Sequence, residues 1–324
     1  MTISAQILAP ANRELWLAQR SLVIGASEIA ALFGESPWMS PFKLSAIKAG
    51  RVKADDENAA MRRGRLLEPV AIECVREENP TWDVCPNAFP NLQYFVDAPN
   101  RIGATPDAFV KIPGRQGRGI IQIKSITPAS FGNRWGGKGT FDRAWSSNGE
   151  FEPPVHVALQ ASVECEITDS QYAFVAALVI GHGIDLHLQE IPLTPGLYHA
   201  AAARSLAFWK KIDAGETYML PDLDKDGDLI RQMYADAEPD SHIDLSGDNE
   251  VVELSENDRM LSRVEREAKE GRAEIKAKML LKMRDAEFAM FNGEVIATAK
   301  TIVKKGYVVK PSKYRQVIFK ENNE

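Results

Sequence analysis

The chain has 324 residues, of which 44% are hydrophobic and 26% are charged, and its formal net charge is −6. These values are typical of a folded globular protein and exclude a disordered or collagen-like chain. The acidic balance also argues against a protein that coats nucleic acid nonspecifically, because phosphate binding depends on local lysine and arginine.

The sequence carries no signal that directs it to a membrane or out of the cell. No apolar run approaches the roughly 20 residues of a membrane helix, and the N-terminus lacks the basic-then-apolar order of a signal peptide. Its three cysteines, Cys74, Cys85 and Cys165, are far apart and cannot all pair, which fits a reducing compartment. We therefore expect a cytoplasmic protein with no membrane partner.

Charge is distributed unevenly along the chain. Residues 111–143 carry seven basic residues and one acidic residue, a net charge of +6, and residues 295–320 carry seven basic residues and no acid. Residues 222–258 carry thirteen acids and two basic residues, a net charge of −11. We interpret the acidic segment as a solvated surface and the first basic segment as a candidate contact for nucleic acid.

The first predicted elements are two helices. Ser27 is expected to cap a helix over 28–33 that ends at Gly34, since serine accepts from free amides and glycine tolerates the left-handed exit. Residues 58–78 show helical spacing of apolar side chains, and Pro69 should start or kink that helix.

A mixed sheet with helices on its faces follows, the α/β (α+β) arrangement expected of the first 221 residues. The predicted strands cover 92–96, 102–104, 108–112, 119–125, 171–179 and 186–191. The run 119–125 is almost continuously apolar, which predicts a central strand covered on both faces. Helices are predicted over 155–164 and 197–214. The Gly-rich loop 131–149, which precedes the first of these helices, includes Arg134-Trp-Gly-Gly-Lys138-Gly139, which fits either a DNA contact or a mobile surface loop.

A boundary near Pro221 should separate this core, residues 1–221, from an extension, residues 222–324. The extension is expected to contain an acidic linker, a long charged helix over 250–287 and a basic hairpin. The hairpin strands are predicted over 294–303 and 307–319, with the turn near Gly306.

The acidic linker begins with a run that has the opening spacing of a calcium-binding loop, Asp222-x-Asp224-x-Asp226-Gly227-Asp228. The twelfth position of such a loop would be Met233, where a bidentate glutamate is needed. We therefore reject a calcium site and expect a solvated turn.

Three polar residues are predicted to meet where two strand ends approach each other. Asp107 precedes one strand, and alternation within the next sends Gln122 and Lys124 to the same face. Oxygen ligands from Asp107, Gln122 and the Ile123 carbonyl suit magnesium, and Lys124 beside them could orient or deprotonate a water. Glu68 is a candidate outer or second-metal ligand. The alternative is a structural ion pair between Asp107 and Lys124.

The order of several short motifs resembles that of the YqaJ-type viral recombinases, which are relatives of phage lambda exonuclease in the PD-(D/E)xK nuclease superfamily. The resemblance covers roughly residues 16–215. The motifs are Arg20, Ile24-Gly-Ala-Ser27-Glu28, Arg63-Gly-Arg-Leu-Leu-Glu68, Ala104-Thr-Pro-Asp107, Ile121-Gln-Ile-Lys124 and His156-Val-Ala-Leu-Gln160.

The resemblance implies a restriction-endonuclease-like core and a processive exonuclease that resects duplex DNA from the 5′ end for single-strand annealing. It implies that Asp107 and Gln122 hold Mg²⁺, with Mn²⁺ able to substitute, that Lys124 activates water and that Glu68 supports the site. Expected partners are DNA ends, an annealing protein of the RecT/Bet type and further copies of the chain, which in the lambda-like members form a trimeric ring. The residues implied to contact DNA are Arg20, Ser27, Thr105 and Gln160.

Gln122 departs from this pattern, because the family has Glu or Asp at the corresponding position. Either the residue is natural and the site works with fewer charges, or it is an isosteric substitution of glutamate. Two further functions therefore stay open. One is a DNA-end-binding protein that kept the nuclease fold without turnover, and the other is a restriction-type endonuclease.

Overall fold

The computed structural model describes residues 5–135, 151–303 and 315–317. The chain divides into two compact units, Met1–Met233 and Tyr234–Glu324. None of the helices in the described ranges is both long enough and apolar enough to cross a membrane.

The first unit combines short strands with helices of up to twenty residues. Its strands are β1 (Gln6–Leu8), β2 (Ile24–Gly25), β3 (Asp83–Pro86), β4 (Tyr94–Asp97), β5 (Ile102–Ala104), β6 (Ala108–Lys111), β7 (Gly119–Ile126), β8 (Tyr172–Ile180) and β9 (Ile184–Ile191). Its helices are α1 (Arg13–Ser21), α2 (Ile29–Leu32), α3 (Pro41–Lys48), α4 (Ala59–Glu78), α5 (Pro128–Arg134), α6 (Val155–Ile167), α7 (Leu197–Asp213) and α8 (Leu223–Met233).

Two mixed sheets organise these elements. The larger has the order β3-β6-β7-β8-β9, in which β7 and β8 are parallel and the other neighbours are antiparallel. The smaller has the order β1-β4-β5-β2, with β2 and β5 parallel. The predicted fold class, a mixed sheet flanked by helices, is confirmed.

Strand β7 is central, as its apolar run predicts. Ile121 and Ile123 pack with α4 on one face, and Ile120 packs with residues of α6 on the other. Since successive side chains of a strand alternate between faces, Gln122 and Lys124 project toward α6.

Helix α4 begins within one residue of its predicted start, whereas the segment before α2 begins differently from the prediction. Helix α4 begins where the Asn58 side chain accepts from the Met61 amide at 2.9 Å, and it continues through Pro69. Of the two predicted effects of Pro69, the start of the helix is therefore wrong, and the kink stays a prediction. Gly25, not Ser27, caps the single 3-10 turn Ala26–Glu28 that precedes α2, and Ser27 lies inside that turn. Gly34 does adopt the left-handed conformation expected after this segment, with φ +75.

The acidic run after Pro221 forms the start of α8 rather than a solvated turn. Asp226 is only 2% exposed. Its carboxylate accepts from Ser40 Oγ at 2.6 Å and from the Asp222 amide at 2.9 Å. Leu229 packs against residues of α3, so α8 belongs to the first unit although it lies beyond the boundary expected near 221.

The second unit contains α9 (Glu250–Met283) and a hairpin of β10 (Phe288–Phe291) and β11 (Glu294–Thr298). The long helix is confirmed. Strand β11 pairs with the strand before it, through a turn at Asn292 and Gly293, whereas the sequence predicts a partner at 307–319. Most of 307–319, with Gly306, lies outside the described residues, as does the part of the Gly-rich loop from residue 136 to 149, which includes Lys138.

Candidate active site

A cleft of about 470 Å³ in the first unit contains every residue that the sequence predicted for the site. Strand β7, helices α1, α4 and α6, the turn after β2 and the segment between β5 and β6 supply them. These residues are Arg20, Ser27, Glu68, Thr105, Asp107, Gln122, Ile123, Lys124 and Gln160.

Asp107 lies just before β6 and is held against β7. Its Oδ2 accepts from the Ile123 amide at 2.6 Å and from Gln122 Nε2 at 2.5 Å. Removal from water raises the pKa of Asp107, and the nearby Lys124 ammonium opposes that rise. Because both of these donors bind Oδ2, the second carboxylate oxygen is the one available to a ligand in the cleft.

Two amide side chains connect Asp107 to Lys124. Lys124 Nζ donates to Gln160 Oε1 at 3.1 Å, and Gln160 Nε2 donates to Gln122 Oε1 at 3.0 Å. Gln122, which is 2% exposed, then donates from its nitrogen to Asp107. In this arrangement the Gln122 oxygen faces Gln160, and it would bind a cation beside Asp107 only after the amide rotates.

Glu68 brings a second carboxylate to the cleft from α4. Burial, and then the charge of Asp107, raises the pKa of Glu68 to about 7, while Lys124 opposes the shift. Two carboxylates that repel each other in a partly dehydrated cleft favour a cation between them.

The donor set fits magnesium, although with few acids. The carboxylates of Glu68 and Asp107 and the Ile123 carbonyl are hard oxygen donors of the kind that Mg²⁺ prefers. In the part of the chain that the structure describes, no group of three or more His, Cys, Asp or Glu residues could hold a metal ion. Further ligands would therefore be amide oxygens, backbone oxygens or water.

A polar chain of four residues forms another wall of the cleft. Arg20 Nη2 donates to Ser27 Oγ at 3.0 Å, and the Arg20 guanidinium lies 4.6 Å from the centre of the Trp16 ring. Trp16 Nε1 in turn donates to Thr105 Oγ1 at 3.1 Å. Trp16 is not among the residues predicted from the sequence, although its position one helical turn before Arg20 indicates that the two side chains are neighbours.

A buried lysine fixes the segment that runs from Arg20 to Glu28. Lys48 Nζ donates to the backbone oxygens of Arg20 at 3.0 Å and Val23 at 2.7 Å, and it pairs with Glu28 at 2.8 Å. Burial lowers the pKa of Lys48, and the Glu28 carboxylate opposes the shift. Because all of its donors point at the end of α1 and the turn after β2, we assign Lys48 a structural role.

Residues 15–171 match the family model of the YqaJ-like viral recombinase domain. Residues 15–171 are therefore similar to a YqaJ-like viral recombinase domain. The resemblance predicted from the motifs is confirmed, and the YqaJ-like domain includes every predicted residue of the cleft. No curated protein sequence matches the chain.

Solved structures of exonucleases are similar to the chain at low sequence identity. An alkaline exonuclease, LHK-Exo, from Laribacter hongkongensis is 20% identical with a TM-score of 0.44, and the match covers 67% of this chain and 99% of that one. A phage-related exonuclease from Haemophilus somnus 129PT is 12% identical with a TM-score of 0.39, and the match covers 60% of this chain and 96% of that one.

Proposed function

We propose that the protein is a metal-dependent exonuclease that degrades linear duplex DNA from its 5′ ends. The observation that carries the proposal is that two carboxylates, a lysine and an arginine line one cleft of a YqaJ-like domain. The carboxylates and the lysine have the residue types that metal-assisted phosphodiester hydrolysis needs, and the arginine can bind a terminal phosphate.

The cation would be Mg²⁺, with Mn²⁺ as a substitute, held by Asp107, Glu68 and the Ile123 carbonyl, and by Gln122 if its amide rotates. When bound, it supplies charge neutralisation at the scissile phosphate and acidification of a water. Lys124, whose Nζ donates to Gln160 Oε1 at 3.1 Å, would orient that water as an ammonium or accept its proton as a neutral amine. Asp107 remains fixed because the Ile123 amide donates to its other oxygen.

The wall of the cleft formed by Arg20, Ser27, Trp16 and Thr105 would recognise the DNA end. Arg20 can form paired hydrogen bonds with a 5′-terminal phosphate, and the Ser27 hydroxyl and the neighbouring Thr105 hydroxyl add polar contacts. The stack on Trp16 holds the guanidinium in place before DNA binds. We propose that this contact makes 5′-phosphorylated ends the preferred substrate.

Several copies of the chain would enclose the DNA, and a trimeric ring is the arrangement we propose. Closed symmetry would let a protein of net charge −6 stay on DNA by turning basic segments inward. The product would be a 3′ single strand, which a RecT/Bet-type annealing protein would bind in recombination. A monomer in light scattering, together with distributive degradation, would contradict the ring.

The experiment that tests the function follows degradation of a linear duplex labelled at either its 5′ or its 3′ end. We expect immediate release of the 5′ label in Mg²⁺, slower release without a 5′ phosphate, and no release in EDTA. Closed circular duplex should stay intact. Cleavage of the closed circle would favour a restriction-type endonuclease instead, and first release of the 3′ label would overturn the polarity.

The orientation of Gln122 favours one other function, that of a DNA-end-binding protein without turnover. Its nitrogen, and not its oxygen, faces Asp107, so residue 122 contributes no negative charge where the family has an acid. End binding without cleavage in either Mg²⁺ or Mn²⁺, even after Gln122→Glu, would support this alternative.

Gln122→Glu should raise the Mg²⁺-dependent rate by about tenfold, because a carboxylate adds charge and a second oxygen beside Asp107. The measurement is kcat on linear 5′-phosphorylated duplex at several Mg²⁺ concentrations, with Gln171→Glu, an exposed site just before β8, as the matched control. An unchanged rate would show that the amide at 122 does not attenuate the enzyme.

A further inference from the structure

Glu164 lies directly behind the cleft and takes no part in the proposed chemistry. It follows Gln160 by one turn of α6, so the two side chains share a helix face. Its Oε1 accepts from Gln160 Nε2 at 2.9 Å. The side chain is 1% exposed, and among the described residues its Oε2 has no hydrogen-bond partner.

A carboxyl group in this position is costly for the fold. The neighbouring residues of α6, Ala161, Val163 and Cys165, are buried and apolar. Burial, with a smaller contribution from the charge of Asp107, raises the pKa of Glu164 to about 8. An apolar side chain of similar size would avoid this desolvation cost, so the role of the carboxyl must be sought in its contact with Gln160.

The contacts of Gln160 depend on which way its amide is turned. Both hydrogens of its nitrogen are used, one by Glu164 Oε1 and one by Gln122 Oε1, and its oxygen accepts from Lys124. The reversed amide would set N–H groups against the Lys124 ammonium and its oxygen against two acceptors. Glu164 and Lys124, from opposite sides, therefore select the observed orientation.

We propose that Glu164 is a positioning residue of the active site, which holds the Gln160 amide so that its oxygen faces Lys124 and its nitrogen faces Gln122. The assignment rests on the proposed nuclease function. Through Gln160, Glu164 also determines how residue 122 meets Asp107. With the Gln122 oxygen occupied, the Gln122 nitrogen is the group that donates to the carboxylate.

A double-mutant cycle between positions 160 and 164 tests this assignment. Glu164→Met keeps the length of the side chain and removes the acceptor. We expect it to lower kcat on linear duplex by about tenfold and to leave KM for DNA within twofold. Glu164→Gln, whose amide oxygen can still accept from Gln160, should restore kcat to within about threefold of the original.

Because Glu164 acts through Gln160, the two losses should not multiply. Gln160→Leu with Glu164→Met should be no slower than Gln160→Leu alone. Glu166→Met, on the same helix and only partly buried, is the matched control and should leave kcat within twofold. Multiplying losses, an equal loss in the control or failure of Glu164→Gln to restore the rate would overturn the assignment.

A readout other than activity separates this proposal from the proposed function. The affinity for Mn²⁺, measured by electron paramagnetic resonance, should change severalfold in Glu164→Met, because Gln122 is no longer held with its nitrogen toward Asp107. Adding Glu164→Met to Gln160→Leu should cause no further change. Unfolding temperatures without metal establish that the variants fold. If the unaltered protein leaves duplex DNA intact, the nuclease proposal fails, and the Mn²⁺ cycle still decides on Glu164, with additive effects or no effect contradicting it.

Discussion

Replacing Asp107 with asparagine should lower the rate of duplex degradation by about a thousandfold. Asp107 offers a free carboxylate oxygen to the cleft while its other oxygen accepts from the Ile123 amide. Asparagine can keep the bond to that amide, but it removes one of the two acids that would hold the cation. Because the Ile123 amide and the Gln122 nitrogen donate to the same oxygen, the asparagine nitrogen would take the place of the other oxygen, the one available to the cation.

The matched control is Asp83→Asn, an exposed acid at the start of β3 in the same sheet. It should degrade duplex at the original rate. The measurements are single-turnover cleavage in Mg²⁺ and binding of DNA ends in Ca²⁺. End binding should persist in Asp107→Asn because Arg20 and its contacts are unchanged. Cleavage by Asp107→Asn at the original rate would show that Asp107 takes no part in the reaction. A lowered unfolding temperature would show that the variant has lost activity by misfolding.

The centre of the site could be predicted because it depends on local periodicity. The apolar run of β7 indicates a strand covered on both faces, and alternation along it places Gln122 and Lys124 on one side. The antiparallel pairing of β6 with β7 then brings Asp107 to Ile123. Each step uses residues that are close in sequence or in neighbouring strands.

The supports of the site could not be predicted in the same way. Trp16 and Thr105 are 89 positions apart, and Lys48 reaches Arg20 across 28 positions. Such contacts depend on how the helices and strands pack, which no short sequence pattern predicts. Glu164 lies only four residues from Gln160, but a glutamate one helical turn away from a glutamine is usually a surface residue, and only its burial shows otherwise.

The ends of the helices and turns were the least predictable features. Ser27 has the residue type of a helix cap, yet the Glu28 carboxylate accepts from the Gly25 amide at 2.7 Å and fixes the turn one step earlier. Asp226 belongs to an acidic run that looks solvated, but Ser40 on the segment before α3 supplies a donor for it. In the first case a bond within the same turn, and in the second a tertiary partner, decided the outcome over the propensity of the single residue.

Replacing Arg20 with glutamine should lower kcat/KM on 5′-phosphorylated duplex by about a hundredfold, since paired hydrogen bonds to a charged phosphate are lost. On duplex with a 5′ hydroxyl the same change should have little effect, because the bonded group is absent. The ratio of the two substrates is therefore the quantity to measure, and it should fall toward one in the variant.

The matched control for Arg20 is Arg13→Gln, on the same helix and also at the cleft, where it lies 3.8 Å from Glu57. It removes the same charge from α1 but should keep the preference for a phosphate, because Ser27 and Trp16 orient Arg20 alone. Equal losses on both substrates in Arg20→Gln would mean that Arg20 serves general DNA attraction. A loss of preference in Arg13→Gln would mean that net charge along α1, and not the held geometry of one guanidinium, recognises the end.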